Sequence, residues 1–330
     1  MFGRDRIEYK SLEQMTTMRA AGLVVAGALA VARDAATAGA TTGEIDRAAA
    51  AHITAAGARP SFLGYEGFPA TVCTSVNDEV VHGIPGDRVL QDGDLLSIDC
   101  GAIVDGWHAD AALSLVVGAP DDADLRLVDV TERAMWAGVA ALATGTRLGE
   151  VGAAVQGAVE VAEAADGLGY GIVEEYVGHG IGSEMHQDPD VVNIRTRERG
   201  PRLRPGMCLA VEPMITRGTS DVVVCEDDWT VVTGDGSRSA HWEHSVAILE
   251  DGICVLTAAD GGAAGLAPFG IVQTTMTETV EGDIRLTVRD LPHEPIEGSD
   301  AALLAAGYAT VTNVVAVREA GERVFSTASA

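Results

Sequence analysis

The chain has 330 residues, 47% of them hydrophobic, with 22 Lys plus Arg against 49 Asp plus Glu and a formal net charge of −27. That charge excludes a general binder of nucleic acid or anionic membrane, whose partners need a basic footprint, and it favours attraction of cations. The apolar content suffices for one large core with a small appendage and excludes disorder of the whole chain. Met1 to Lys10 alternates charges and is followed by no hydrophobic signal core. The most apolar run, 20–32, is too short to span a bilayer, so a cytoplasmic protein without a membrane is expected. Cys73, Cys100, Cys208, Cys225 and Cys254 are scattered and form no CxxC pair, which supports neither a disulfide framework nor a zinc ribbon.

Ser11-Leu12-Glu13-Gln14 has the spacing of a capping box, and Met15, Met18, Gly22, Val25 and Leu29 follow at helical intervals, predicting a long first helix. Thr41-Thr42-Gly43-Glu44 opens a second helix running to about residue 56, where Gly57 is placed to end it. Further helices are expected over 122–143 and 150–168, followed again by β-rich sequence, so the order helix, helix, strands occurs twice. Residues 257–268 read as a small-residue linker after a main domain of residues 1–256. Residues 269–330 then form a small C-terminal α+β extension. Strands are expected there near 271–277, 283–289, 310–317 and 323–327, with a brief helix capped by Ser299 and Asp300 and running to about residue 306.

Two short matches make the repetition an internal duplication. Gly39-Ala-Thr-Thr-Gly43-Glu44-Ile45 parallels Gly145-Thr-Arg-Leu-Gly149-Glu150-Val151, and Gly93-Asp-Leu-Leu-Ser-Ile98-Asp99 parallels Gly206-Met-Cys-Leu-Ala-Val211-Glu212. If a pseudo-two-fold relates the halves, Asp99 and Glu212 end equivalent apolar strands and converge on one site, where an unpaired buried carboxylate would be costly. Asp110 stands eleven residues after Asp99 across a glycine turn, a spacing at which a hairpin can bring both acids to one face. With His179 and Glu243 these make four carboxylates and one imidazole, a donor set suited to divalent Mn, Fe, Co or Zn. Taken alone, His179 between two glycines fits a loop histidine equally well. Asp105 reads as a turn residue, and His52, His108, His241 and His293 as ordinary surface or supporting groups.

These motifs, Asn77-Asp-Glu-Val-Val-His82-Gly-Ile-Pro85, Ile98-Asp99-Cys-Gly with Asp110, Gly178-His179-Gly-Ile-Gly182 with His186, Val211-Glu212-Pro213 and Trp242-Glu243-His244, stand in one order. Together the chain over about residues 8–256 resembles the type I methionine aminopeptidases of metallopeptidase family M24. The resemblance implies the α+β pita-bread fold with its internal duplication. It implies two divalent metal ions: Asp99 chelates one, His179 and Glu212 serve mainly the other, Asp110 and Glu243 bridge, and the pair supplies a nucleophilic water. Glu212 is the implied proton shuttle, His186 stabilises the tetrahedral intermediate, and His82 contacts the substrate's nitrogen or penultimate amide. The methionine pocket draws on Phe62, Tyr65, Phe68, Cys73, Met185 and Trp229. Phe62, Phe68 and Met185 depart from the family's common cysteine, tyrosine and aromatic while keeping the pocket apolar.

The implied activity is removal of the N-terminal methionine from nascent or short polypeptides with a small penultimate residue. A proline-specific aminopeptidase or prolidase of the same fold is the nearest alternative, although such enzymes carry a sizeable N-terminal domain where here the first helix begins near Ser11. A non-catalytic pita-bread binding protein would be expected to have lost a ligand. Arg195, Arg197, Arg199, Arg202 and Arg204 form the chain's basic cluster, either a solvated loop or a contact with ribosomal RNA. A monomer is expected, and no DNA partner.

Overall fold

The computed structural model describes residues 7–274 and two strands near the C-terminus, Val314–Glu319 and Glu322–Thr327. The chain divides into two compact units, Met1–Glu281 and Gly282–Ala330.

In the first unit the first two helices begin at the predicted caps. Helix α1 (Leu12–Ala35) has Ser11 accepting the Gln14 amide while the Gln14 side chain accepts the Ser11 amide. Helix α2 (Thr42–Ala55) repeats this box with Thr41 and Glu44. Helices α3 (Asp122–Thr144) and α4 (Gly149–Asp166) match the second predicted pair; Asp121 caps the first, and Gly167 ends the second in the left-handed conformation. Against the expectation that no segment would reach the length of a membrane span, α1 is long and apolar enough by composition. It buries Met18, Ala21, Val25, Ala28, Leu29 and Ala32 inside the protein, and its excess hydropathy is the Ala/Gly content that close packing requires.

Nine of the strands form one sheet. From one edge its order is Arg59–Pro60, Leu95–Val104, Trp107–Val116, Glu243–Leu249, Cys208–Val211, Gly178–Gly180 and Gln187–Val191. Val72–Val76 also pairs with Leu95–Val104, and Gly252–Val255 with Glu243–Leu249. The seam between the halves is the antiparallel pairing Glu243↔Ala112 and His244↔Ala111. On either side of it lie the strands that the duplication predicted to be equivalent, Leu95–Val104 and Cys208–Val211. The matched GATTGEI and GTRLGEV segments likewise open α2 and α4.

Alternation along the strands sets what each face carries. Leu96, Ile98, Cys100, Ala109 and Ala111 pack with the stripes of α1 and α2. Leu209, Val211, Val246 and Ile248 pack with those of α3 and α4. The intervening Asp99, Asp110 and Glu243 therefore fall on the opposite face, away from both helix pairs.

The segment 257–268 is more structured than a linker. It contains a helical turn, Ala263–Leu266, and Leu266 is fully buried in the α3/α4 core, so residues up to 274 extend the main unit. One apolar residue that finds a cavity outweighs local small-residue composition. In the second unit, Val314–Glu319 and Glu322–Thr327 pair as an antiparallel hairpin, overlapping the strands expected at 310–317 and 323–327. Residues 271–274 are not in a strand, and the expected strand at 283–289 and helix to 306 lie outside the described residues.

Candidate metal centre and its cleft

Two acids come from one hairpin. Val104 pairs with Trp107 across a two-residue turn in which Asp105 (φ 47°) and Gly106 (φ 85°) are both left-handed, the type I′ geometry that matches strand twist. The register then sets Asp99 opposite Ala112 and Asp110 opposite Gly101, so the two carboxylates sit diagonally on one face. Glu243 also pairs with Ala112, from the other side, and so joins the same row. Glu212 follows Val211, the partner of His244, and is carried to the level of Glu243. His179 lies at the centre of the short strand Gly178–Gly180, and its Nε2 is 3.3 Å from Glu212 Oε1.

The environment of these groups is electrostatically incomplete. Asp110, His179 and Glu243 are buried, and Asp99 Oδ1, Asp110 Oδ1 and Glu243 Oε1 have no hydrogen-bond partner. Burial, reinforced by Asp110 and Glu212, holds Asp99 well above the usual carboxylate range; burial and the neighbouring acids do the same to Glu243. Burial and Asp110 raise Glu212, and burial pushes Asp110 up to about 7 against hydrogen bonds from Asp99 and the Ala111 amide. Four carboxylates in one dry site cannot all be ionised without a counter-charge. Burial, with His186 adding to it, lowers His179 to about 3, so its imidazole is neutral. Because His179 Nδ1 lies 2.9 Å from the Gly180 carbonyl, which can only accept, Nδ1 carries the proton and the Nε2 lone pair is available. Donor atoms of Asp110, His179 and Glu243 all lie within 4.8 Å of one another, as do those of Glu212, His241 and Glu243. Orphaned anionic oxygens beside an imidazole with a free lone pair fit divalent metal ions.

All five expected ligand residues thus meet in one cavity of about 160 Å³, together with His82, His186, Phe62, Tyr65, Phe68, Cys73, Met185 and Trp229. Phe62, Phe68, Cys73 and Met185 are buried in one apolar cluster, and Tyr65 and Trp229 pack against it half-buried. Phe68 meets both Phe62 and Trp229 edge to face, with centroids 6.5 and 5.1 Å apart. His82 has a left-handed backbone (φ 61°) and stands edge-on to Tyr176 and Trp229. His186 stands edge-on to His179 at 4.4 Å between centroids.

Sequence reasoning missed two contributors. His241, read as an ordinary group, is 1% exposed, its Nε2 has no hydrogen-bond partner, and it lies 3.6 Å from Glu212 Oε2. The available signal was its position two residues before Glu243, since an extended chain places such neighbours on one side. Glu66 also lines the cavity, from a turn between Gly64 and Gly67 whose sequence gave no chemical signal. The five arginines between 195 and 204 are exposed; Arg195 is engaged with Glu160 on α4 at 3.0 Å, while Arg197, Arg199, Arg202 and Arg204 face solvent.

The profile of metallopeptidase family M24 matches residues 16–250. A methionine aminopeptidase 1 of Mycobacterium tuberculosis is 50% identical over 256 residues, 77% of this chain and 96% of that protein. A methionine aminopeptidase 1 of Bacillus subtilis is 43% identical over 75% of this chain and 98% of that one. The crystal structure of methionine aminopeptidase from Thermotoga maritima superposes with a TM-score of 0.72 at 39% identity, covering 76% of this chain and 99% of that one. A prolidase from Pyrococcus furiosus superposes at 0.59 with 20% identity, a likeness of fold alone.

Proposed function

The chain belongs to metallopeptidase family M24 and, within it, to the methionine aminopeptidases, and on that premise we propose that it removes the N-terminal methionine from nascent or short polypeptides whose second residue is small. The observation that carries this reading is the cluster of Asp99, Asp110, His179, Glu212 and Glu243 beside an apolar pocket closed by Phe62, Phe68, Cys73 and Met185. Two divalent ions bound there would supply an activated water and polarise the scissile carbonyl.

In this reading Asp99, Asp110, His179, Glu212 and Glu243 would hold the two ions. Glu212 accepts the proton from the attacking nucleophile and passes it to the leaving amine. His82 and His186 contact the substrate's polar atoms, His186 as a donor to the developing oxyanion. The pocket takes an unbranched thioether, where ring edges and sulfur contacts contribute on the order of 1 kcal/mol each. Restriction to the first residue follows from the free α-amine, which binds in the carboxylate-rich site.

The test is methionine release from Met-Ala-Ser and Met-Lys-Ser by metal-stripped protein reloaded with Mn, Co or Fe, beside an Xaa-Pro peptide. Metal-dependent release from Met-Ala-Ser alone is expected; cleavage of the Xaa-Pro peptide instead would replace this reading with the proline-specific one. Such an enzyme would act in the cytoplasm, where nascent chains emerge. The exposure of Arg197, Arg199, Arg202 and Arg204 supports a contact with ribosomal RNA. Charge reversal at three of them should weaken ribosome co-sedimentation and leave peptide turnover unchanged; unchanged co-sedimentation removes the idea.

A further inference from the structure

Tyr65 differs from the other walls of the pocket. Phe62, Phe68, Cys73 and Met185 are buried, whereas Tyr65 is half-buried and has a polar partner: its hydroxyl lies 2.9 Å from Nδ1 of His186, with the rings 5.3 Å apart and near perpendicular. The phenol sits on a rigid turn. Gly64 (φ 87°) and Gly67 (φ 94°) provide left-handed conformations that side chains rarely adopt. Three backbone bonds, Gly64 N–H to Phe68 O, Tyr65 N–H to Phe62 O and Phe68 N–H to Tyr65 O, close the turn at 2.8–2.9 Å. Its two flanks, Phe62 and Phe68, are anchored in the apolar cluster. The backbone that carries the phenol is therefore held in place, and the hydroxyl reaches His186 from it.

The direction of the hydrogen bond follows from the partners. A phenol is a good donor and a modest acceptor, while the bare nitrogen of a neutral imidazole is a good acceptor. Burial, with Glu66 and Glu184 nearby, raises the Tyr65 pKa, so the proton is on the oxygen. A Tyr65 hydroxyl donating to Nδ1 leaves His186 with its own proton on Nε2.

We propose that Tyr65 is a positioning residue, which fixes His186 as the Nε2–H tautomer and so gives the cleft a neutral N–H donor for the substrate's carbonyl oxygen as it takes on negative charge. His186 without this bond would divide between two tautomers, one of which presents a lone pair to a developing oxyanion. The proposal deepens the methionine-releasing reading and rests on it for its kinetic consequences; the tautomer itself does not depend on that reading.

The experiment joins a spectroscopic and a kinetic measurement on the full-length protein. Nitrogen-15 histidine spectra of zinc-loaded protein, with His186 assigned by its loss in His186→Gln, should show the Nε2–H form in the wild type and a tautomer average in Tyr65→Phe. Tyr65→Phe should lower kcat on Met-Ala-Ser by about tenfold with KM changed less than about twofold, as expected when a group acts on the transition state alone. In a His186→Ala background the same substitution should change kcat by less than about twofold, since Tyr65 then has nothing to orient. A wild-type His186 protonated at Nδ1, a spectrum unaltered by Tyr65→Phe, or an equal kinetic loss in both backgrounds overturns the proposal and leaves Tyr65 as a pocket wall. If the wild type releases no methionine, the functional reading fails, and the spectra still decide the hydrogen bond.

Discussion

The two halves of the molecule supply their donors to the metal centre by different means. The first half presents Asp99 and Asp110 from one hairpin of two ten-residue strands, where a local turn sets the register and the register sets the face. The second half presents His179 from a three-residue strand and Glu212 just beyond a four-residue one. Neither has enough local pairing to fix its direction. Segments from elsewhere hold them instead: Ser183 and Gln187 donate to Glu8, the Lys10 ammonium donates to Gln187, and the Lys10 amide donates to Gly206 O at 2.7 Å. A duplicated architecture can thus keep one donor geometry while its two copies rely on different parts of the chain to maintain it.

The largest effect should come from removing a donor carried by one of the two strands that pair at the seam. Asp110→Asn and Glu243→Gln should each lower kcat/KM on Met-Ala-Ser by on the order of 10³-fold and reduce the bound metal measured by elemental analysis. Full metal content and near-normal turnover in either variant would remove that residue from the centre. Stripping the metals from wild-type protein should lower its melting temperature, because bound ions stabilise only the folded state, and the variants should show a smaller drop.

A change at the hairpin turn addresses the first half alone. Gly106→Val puts a β-branched residue at φ 85°, with no neighbour within 4 Å of the added Cβ, so the cost is backbone strain of about 1–2 kcal/mol rather than a clash. Thermal denaturation should report that loss and metal affinity should fall with it. Unchanged affinity would mean that sheet neighbours, not the turn, hold Asp99 and Asp110.

The smallest effect belongs to the strut beneath the second half. Burial raises the Glu8 carboxyl, but hydrogen bonds from Ser183 and Gln187 and the charge of Lys10 outweigh it and hold the pKa down at about 2. A depressed folded pKa contributes stability that is complete above the unfolded value near 4.5 and disappears as pH falls toward about 2. Glu8→Gln should therefore be slightly less stable than wild type at neutral pH, and the difference should close over that window. A difference that persists at low pH would mean that Glu8 acts through packing rather than charge.

Local chemistry made much of this legible. The capping boxes at Ser11 and Thr41 bond residues three apart, so α1 and α2 begin where the spacing indicates. The Asp99–Asp110 spacing and the two repeated segments are similarly short-range, and they located the pseudo-two-fold and the carboxylates that meet on it. Tertiary structure alone decided what depends on distant segments. His241 reaches Glu212 because two separate strands abut at Trp242, and Leu266 draws the supposed linker into the α3/α4 core. The Tyr65 hydroxyl meets His186 from 121 residues away. Hydrogen bonds and periodicities within a few residues are written in the chain, whereas side-chain encounters across the fold exist only after packing has fixed where each segment lies.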